Sequence, residues 1–306
     1  MIDLHTHTRY SDGALSPAAL VRRAIANGVR CLAITDHDSV AAFQSQAEEP
    51  DTLEASDIDL QLIRGVELSS LWQGREIHIL GLVIDPENET LNHLLTRQQQ
   101  LRRERAARIN EQLCQNGITG LEAYLDSLPC QAIGRNHIAD FLITTGYARD
   151  KQQAFSKYLG NKGKYRTQPQ WCTLAEAVEH IAQAGGISLV AHPERYRLSN
   201  GKLGLLLDDF QAAGGQGLEV SYSNLAPEQL YRLARLCQTR KMWASQGSDF
   251  HSPEATWMDV GKIRGLPPEC REQAVWLHPS WPTSETASGQ ANRHPVSADA
   301  GTQSNP

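Results

Sequence analysis

Two short runs, Ile2-Asp3-Leu4-His5-Thr6-His7 and Cys31-Leu32-Ala33-Ile34-Thr35, set the architecture of the whole chain. Residues 2–5 read as a short strand, and Ser16-Pro17 follows as an N-cap with proline at the first helical position. Leu20, Val21, Ala24 and Ile25 then recur at helical spacing until Asn27-Gly28 stops the helix, and residues 31–35 open a second, buried-type strand. The punctuation returns later. Thr173-Leu174-Ala175-Glu176 is a capping box for a helix running to Ala184, Gly185-Gly186 ends it, and residues 187–191 are again a strand. Residues 60–67, 77–84, 217–221 and 242–245 complete a set of seven predicted strands. The class is α/β, and the alternation of strand and helix predicts a parallel sheet or barrel.

The chain has 306 residues, 40% of them hydrophobic and 23 of them glycine, an ordinary globular composition that excludes wholesale disorder. The barrel is expected over residues 1–89 and 169–278. Residues 90–168 break the rhythm with helical stretches and read as an insertion lying over the barrel. Of the last 28 residues, 279–306, 22 are Pro, Ser, Thr, Ala, Gly, Asn or Gln, too little apolar surface to offset ordering entropy, so a disordered tail is expected there. No run approaches a membrane span and the N-terminus lacks a basic-then-apolar leader, so the expected location is cytoplasmic. The six cysteines form no C-x-x-C pair and are expected as free thiols. A formal charge of -6 argues against a long basic nucleic-acid surface, unless bound cations supply the local field.

Chemistry concentrates at the strand ends. His5, His7, His37, His78, His192 and His251 all fall at ends or edges of predicted strands, as do the acids Asp12, Glu67 and Asp249. In a barrel of parallel strands such positions converge on one face. His5-Thr6-His7 places two imidazoles on the same side of an extended strand, so both can reach one ion. If Gln73-Gly74 is a two-residue hairpin turn, residue 67 faces residue 80 and His78 is the diagonal neighbour of Glu67 on the same face. One carboxylate would then serve two ions. Asp36 and Asp38 flank His37 and are expected to orient it or a neighbouring ligand.

The set Asp3-Leu4-His5-Thr6-His7, Ser11-Asp12-Gly13, Thr35-Asp36-His37-Asp38, Gly65-Val66-Glu67, His78, Ala191-His192-Pro193 and Ser248-Asp249-Phe250-His251 resembles the PHP (polymerase and histidinol phosphatase) superfamily of metallophosphoesterases. Pro169-Gln170-Trp171-Cys172-Thr173 and Trp243-Ala244-Ser245-Gln246-Gly247 extend the likeness to about residue 278, toward the branch of ribonuclease AM and nucleoside 3′,5′-bisphosphate phosphatases. The resemblance implies a distorted (β/α)7 barrel with three divalent ions, manganese first and zinc or iron as alternatives. By that resemblance His5, His7, Glu67 and Asp249 hold the first ion, Asp12, His37 and His251 the second, and Glu67, His78 and His192 the third.

Three divalent ions less three carboxylates leave a pocket of about +3, suited to a phosphate dianion, with metal-activated hydroxide as the expected nucleophile and Glu67 as the bridging ligand. The implied activity is phosphate removal from nucleoside 3′,5′-bisphosphates together with 5′-to-3′ trimming of short or 5′-phosphorylated RNA. Arg135, His137 and Arg195 are the expected holders of the rest of the substrate, since guanidinium forks suit phosphate. Glu194 stands where a glycine is expected in close relatives. Lys162 and Lys164 beside Tyr165, and the arginines from Arg97 to Arg108, read either as an RNA track or as solvated basic faces. Three other readings stay open: a small-metabolite phosphatase of the histidinol-phosphate type, an amidohydrolase-like metal hydrolase, and a non-catalytic PHP module. No membrane or obligate protein partner is indicated. Amidohydrolases often use a bridging lysine carbamate, and no lysine occurs before Lys151.

Overall fold

The computed structural model describes residues 1–44, 60–160, 162–255 and 257–282. The elements in chain order are β1 (Ile2–Asp3), α1 (Pro17–Ala26), β2 (Cys31–Ile34), α2 (Ala41–Gln44), β3 (Gln61–Trp72), β4 (Arg75–Leu82), α3 (Glu89–Cys114), α4 (Leu121–Asp126), α5 (Arg135–Thr144), α6 (Lys151–Ala154), β5 (Cys172–Thr173), α7 (Leu174–Gln183), β6 (Ile187–Val190), α8 (Asn200–Ala212), β7 (Gly217–Tyr222), α9 (Pro227–Arg240) and β8 (Trp243–Gly247). The strands form one sheet in the order β1-β2-β3-β4-β6-β7-β8, with β5 pairing the far end of β3. Seven strands on that path make a nearly closed, distorted barrel.

Local chemistry sets the helix ends. Ser16 Oγ accepts from the Ala19 amide at the start of α1, and Thr173 and Glu176 form the expected reciprocal box at the start of α7. The barrel departs from all-parallel order at one strand: β4 runs antiparallel to both β3 and β6. Gln73 and Gly74 both have positive φ, 47° and 73°, as a tight two-residue hairpin turn requires, and Trp72 pairs with Arg75 across it. Glu67 therefore faces Leu80, the expected register. Because β4 enters from the turn, its first residues lie at the end of the barrel that the parallel strands leave.

Closure comes where β8 meets β1. Leu4 N–H donates to the Gln246 carbonyl at 2.9 Å, Asp249 N–H to His5 at 2.8 Å and His7 N–H to Phe250 at 3.0 Å. The buried Asp3 carboxylate laces the seam, accepting from the amides of Ser248 and Gly261 at 2.8 and 2.7 Å.

Three apolar clusters belong to the barrel, and a further one belongs to the middle segment. Ala106, Ile109 and Leu113 of α3 pack with α4, α5 and the residues around Tyr158 and Tyr165. The first half of α3 is different: Leu91, Leu94 and Leu95 join the barrel core beside Ile79 and Ile181. One 26-residue helix thus contributes to two apolar cores, that of the barrel and that of the middle segment. At the junction Arg102 is buried and paired with the fully buried Asp38 at 2.6 Å. Of the stretch expected as a disordered tail, residues 279–282 dock on the barrel through Trp281 and the Pro282 carbonyl, which accepts from Gln61; 283–306 lie outside the described residues. Among the described residues, no helix is long and apolar enough to cross a membrane.

Candidate metal centre

All nine strand-end donors reach one end of the barrel. His5 and His7 leave the end of β1, His37 follows β2, Glu67 sits in β3, His78 in β4, His192 follows β6, and Asp249 and His251 follow β8. Asp12 arrives on the turn after β1. That turn is tight at Gly13, where a Cβ would stand 2.3 Å from the His7 carbonyl oxygen. His192 and Asp249 hold positive φ, 28° and 55°, a strained backbone that side chains other than glycine's rarely accept.

The donor atoms face one another. His5 Nε2 lies 3.1 Å from His7 Nε2, 3.3 Å from Glu67 Oε2 and 3.2 Å from Asp249 Oδ1; His7 Nε2 lies 3.4 Å from Glu67 Oε2 and 3.1 Å from Asp249 Oδ1. Donors sharing one ion at ~2.1 Å stand roughly 3.0–3.4 Å apart, so these four have the spacing of a common coordination sphere. A second group gathers His7, Asp12, His37 and His251, with Asp12 Oδ1 at 3.3 Å from His251 and 3.8 Å from His37. A third gathers His37, Glu67 and His78. Glu67 divides its oxygens: Oε2 faces the first group and His37, while Oε1 lies 3.0 Å from His78 and 2.9 Å from His192.

Several of these buried atoms, Asp12 Oδ1, Glu67 Oε2, His37 Nδ1 and His192 Nδ1, have no hydrogen-bond partner. Buried polar atoms are rarely left so, and cations would satisfy acceptors that the protein leaves bare. The donor set of imidazoles and carboxylates fits first-row divalent ions and carries no thiolate.

Electrostatics separates the histidines. Burial works against charge on His78 and His251, but Glu67 in the first case and Asp12 in the second outweigh it and raise them to about 10 and about 9. His7 and His192 are pushed down to about 3 and about 4, chiefly by burial and, for His7, by neighbouring His251. Burial also opposes charge on Glu67, Asp12 and Asp249, yet the surrounding histidines, with Arg195 foremost for Asp249, hold all three well below the usual carboxylate range.

The carboxylates of the two residues flanking His37 bond groups other than its ring, and Asp36 bears on the neighbouring donor Asp12. Asp36 accepts from the Thr8 amide, the Thr8 hydroxyl and the Ser11 hydroxyl at 2.7, 2.6 and 2.5 Å, and so shapes the turn that delivers Asp12. Asp38 accepts from the Ser69 amide and from Arg102. His137, expected to hold substrate, spends both ring nitrogens on backbone, Nδ1 accepting from Gly134 N–H and Nε2 meeting the Ser11 carbonyl. Arg195 reaches the centre and pairs with Asp249; Arg135 pairs with Glu76 at 3.1 Å. Glu194 turns away to Arg232 and Gln229. Tyr165 is buried and stacked on Tyr158 at 5.8 Å, so it offers no platform to a base, and Lys164 bonds Asn116.

Sequence reasoning missed Glu219. Fully buried in β7, it accepts from the His192 amide at 2.7 Å and meets His5 Nδ1 at 3.0 Å, fixing His5 with Nε2 toward the centre. Its signal was an acid inside the otherwise buried run Gly217-Leu218-Glu219-Val220. Asn136, which donates to Asp12 Oδ2 at 2.5 Å from α5, was also unread.

Comparison with known proteins adds the lineage. The PHP domain model matches residues 3–166. The 5′-3′ exoribonuclease Rnm of Escherichia coli (strain K12) is 41% identical over 275 residues, 90% of this chain and 92% of that protein. A 3′,5′-nucleoside bisphosphate phosphatase of Chromobacterium violaceum is 36% identical over 279 residues, 90% and 95% of the two chains. Among solved structures, one described as an amidohydrolase from Chromobacterium violaceum with bound sulfate superposes with a TM-score of 0.81 at 36% identity, covering 90% of this chain and 94% of that one. Another, from Bifidobacterium adolescentis and described as a candidate metal-dependent phosphoesterase, gives 0.75 at 29% identity, covering 89% and 94%. Convergent donors at one end of a distorted barrel and similarity along most of the sequence agree: the chain belongs to the PHP domain family.

Proposed function

We propose that this protein is a metal-dependent phosphoesterase that removes phosphate from nucleoside 3′,5′-bisphosphates and trims short or 5′-phosphorylated RNA from the 5′ end. The names of its relatives support both activities. One site serves both, because the first nucleotide of such an RNA, like a bisphosphate, carries phosphate on both sides of its sugar.

The observation that carries the reading is Glu67, fully buried, with its two oxygens turned toward different sets of imidazoles. Three divalent ions, manganese for preference and zinc or iron as alternatives, would be held by His5, His7, Glu67 and Asp249, by Asp12, His37 and His251, and by Glu67, His78 and His192. Bound there, they supply Lewis-acid charge to phosphoryl oxygens and activate water. The protein's own part is to hold Glu67, Asp12 and Asp249 ionised, to keep His7 and His192 neutral as donors, and to bury the inner donors from bulk water. Arg195, its guanidinium 5.6 Å from the Tyr222 ring and its side chain 39% exposed, stands at the rim beside Asp249 where a phosphate would arrive.

The test is a substrate panel with manganese. Adenosine 3′,5′-bisphosphate and 5′-phosphorylated oligoribonucleotides should turn over, with histidinol phosphate far slower. Glu67→Gln should lose about 10²-fold or more in turnover with its circular dichroism unchanged, since the carboxylate serves two groups of donors. Equal turnover by that variant would overturn the reading.

A further inference from the structure

Charge is unevenly spread along this chain. It carries 29 Lys and Arg against 35 Asp and Glu, yet residues 151–175 hold five of the cations and none of the acids, leaving 24 against 35 for the rest. Lys151 is answered by Asp140 at 3.3 Å. Lys157, Lys162, Lys164 and Arg166 are all exposed, and among the described residues none of these four pairs with a carboxylate. An acidic molecule thus keeps one uncompensated basic surface, on its middle segment.

The fold gathers these four cations onto one ribbon. The chain leaves α6 through a turn of π-helix, Phe155–Leu159, and doubles back at once. Gly163 N–H donates to the Gly160 carbonyl at 2.8 Å, Lys164 N–H to that of Lys157 at 3.0 Å and Tyr165 N–H to that of Tyr158 at 2.8 Å. At Gly163 a Cβ would stand 2.5 Å from the Tyr158 carbonyl, so no side chain fits inside the turn. Tyr158 and Tyr165, both buried and stacked 5.8 Å apart, anchor it, with the Lys157 ammonium 4.9 Å from the first ring and that of Lys164 5.3 Å from the second. Beyond the turn Lys162, Lys164 and Arg166 face solvent while Tyr165 and Thr167 turn inward, the alternation of an extended chain. Like charges side by side repel, and a polyanion laid across them relieves that repulsion.

The ribbon starts beside the candidate centre and leads away from it. Thr167 accepts from Arg105 Nε at 3.1 Å, and Arg105 meets Glu76, which lies 3.6 Å from His78. At its other end Lys164 donates to Asn116, just past the end of α3. Only the first half of α3 joins the barrel core, so the helix carries the ribbon outward, by about 14 Å between Arg105 and Cys114 at 1.5 Å per residue. A stacked strand rising ~3.4 Å per nucleotide covers that span in about four nucleotides.

We propose that this ribbon carries the RNA chain on the 3′ side of the scissile phosphate, with the backbone of the next few nucleotides lying along Lys157, Lys162, Lys164 and Arg166. The buried tyrosines offer bases no stacking face, so the ribbon reads phosphate charge and is indifferent to sequence. A nucleoside bisphosphate ends before the ribbon begins and gains nothing from it. The inference rests on the function proposed above and adds the surface that separates an RNA chain from a bisphosphate at the same centre.

The test uses full-length protein and a variant combining Lys157→Gln, Lys162→Gln, Lys164→Gln and Arg166→Gln. In chelator, where nothing is cleaved, fluorescence anisotropy follows a 5′-phosphorylated hexaribonucleotide. At about −0.7 per phosphate contact, the wild type should lose affinity with salt at a log–log slope of about −2 to −3. The variant should bind at least tenfold more weakly, with a slope flatter by about 2. With manganese, the ratio of kcat/KM for the hexanucleotide to that for adenosine 3′,5′-bisphosphate should fall at least tenfold in the variant, through KM. If that variant fails to fold, the triple variant that keeps Lys164 and its bond to Asn116 decides by the same readouts, with at least a fivefold loss. Unchanged RNA affinity, or an unchanged turnover ratio, would overturn the proposal. Sedimentation with phosphatidylserine vesicles that the variant loses, without any change in RNA affinity, would overturn it in favour of a membrane surface. Failure of the wild type to hydrolyse any phosphate ester would instead overturn the function, and the anisotropy would still report on the ribbon.

Discussion

Glu219 and Glu67 are both fully buried acids, yet their neighbours give them opposite characters. Glu67 is surrounded by imidazoles and held ionised; Glu219 is raised, first by burial, against the pull of His5 and the His192 amide that it meets. Its place is behind the donors, orienting His5 and the strained turn at His192. Glu219→Gln keeps the size and one acceptor, but the amide nitrogen cannot accept and the charge behind His5 is gone. Manganese affinity should fall about 10- to 100-fold, read by titration of the metal into chelator-treated protein. An affinity within twofold of wild type would remove Glu219 from that role. The nine donors could be read from the sequence because His-x-His and strand-end acids are rare in combination. Glu219 could not be assigned a partner, because His5 lies 214 residues away and only folding brings it near.

Strands β1 and β8 touch because Gly247 has no side chain: a Cβ there would stand 2.2 Å from the Cβ of His5 and 2.6 Å from its nitrogen. The seam carries His5, His7, Asp249 and His251, so a close approach of two strands coincides with four of the donors. Gly247→Ala should destabilise the fold by about 1–3 kcal/mol through overpacking, and should loosen metal binding along with it. Urea unfolding measures the first effect, and a midpoint equal to wild type would show that the seam can open without cost. The β3–β4 hairpin is the opposite case. Gln73-Gly74 announces its turn, and the turn alone sets Glu67 opposite Leu80, so this element's register was readable from four residues. What the alternation of strand and helix concealed is that β4 then runs against both neighbours.

Acid and base act on the molecule as a whole through the same histidines. In the metal-free protein His78 and His251 are raised to about 10 and about 9, above the ~6.5 of an unfolded imidazole. Their contribution to stability is therefore fully present below about pH 6.5 and is lost as pH rises through 9 and 10. Metal binding runs the other way, because the cations must displace those protons. Between pH 7 and 9 the melting temperature of chelator-treated protein should fall, while the rise produced by a fixed excess of manganese should grow. Differential scanning calorimetry across that range checks both slopes, and a flat chelated profile would contradict the assignment of charged histidines.

The sequence by itself determined the α/β class, the helix caps, the hairpin register and which nine side chains gather at one end of the barrel, because each of these is written in neighbours a few residues apart or in rare residue types at strand ends. The tertiary structure alone decided that α3 contributes to two apolar cores, that Asp36 bonds the turn before Asp12 while Asp38 pairs with Arg102, and that Arg105 and Trp171 meet Arg135. The physical reason is common to all three. Burial and pairing depend on which distant segments exclude water from one another, and a charge with several possible partners takes the one that packing leaves within reach.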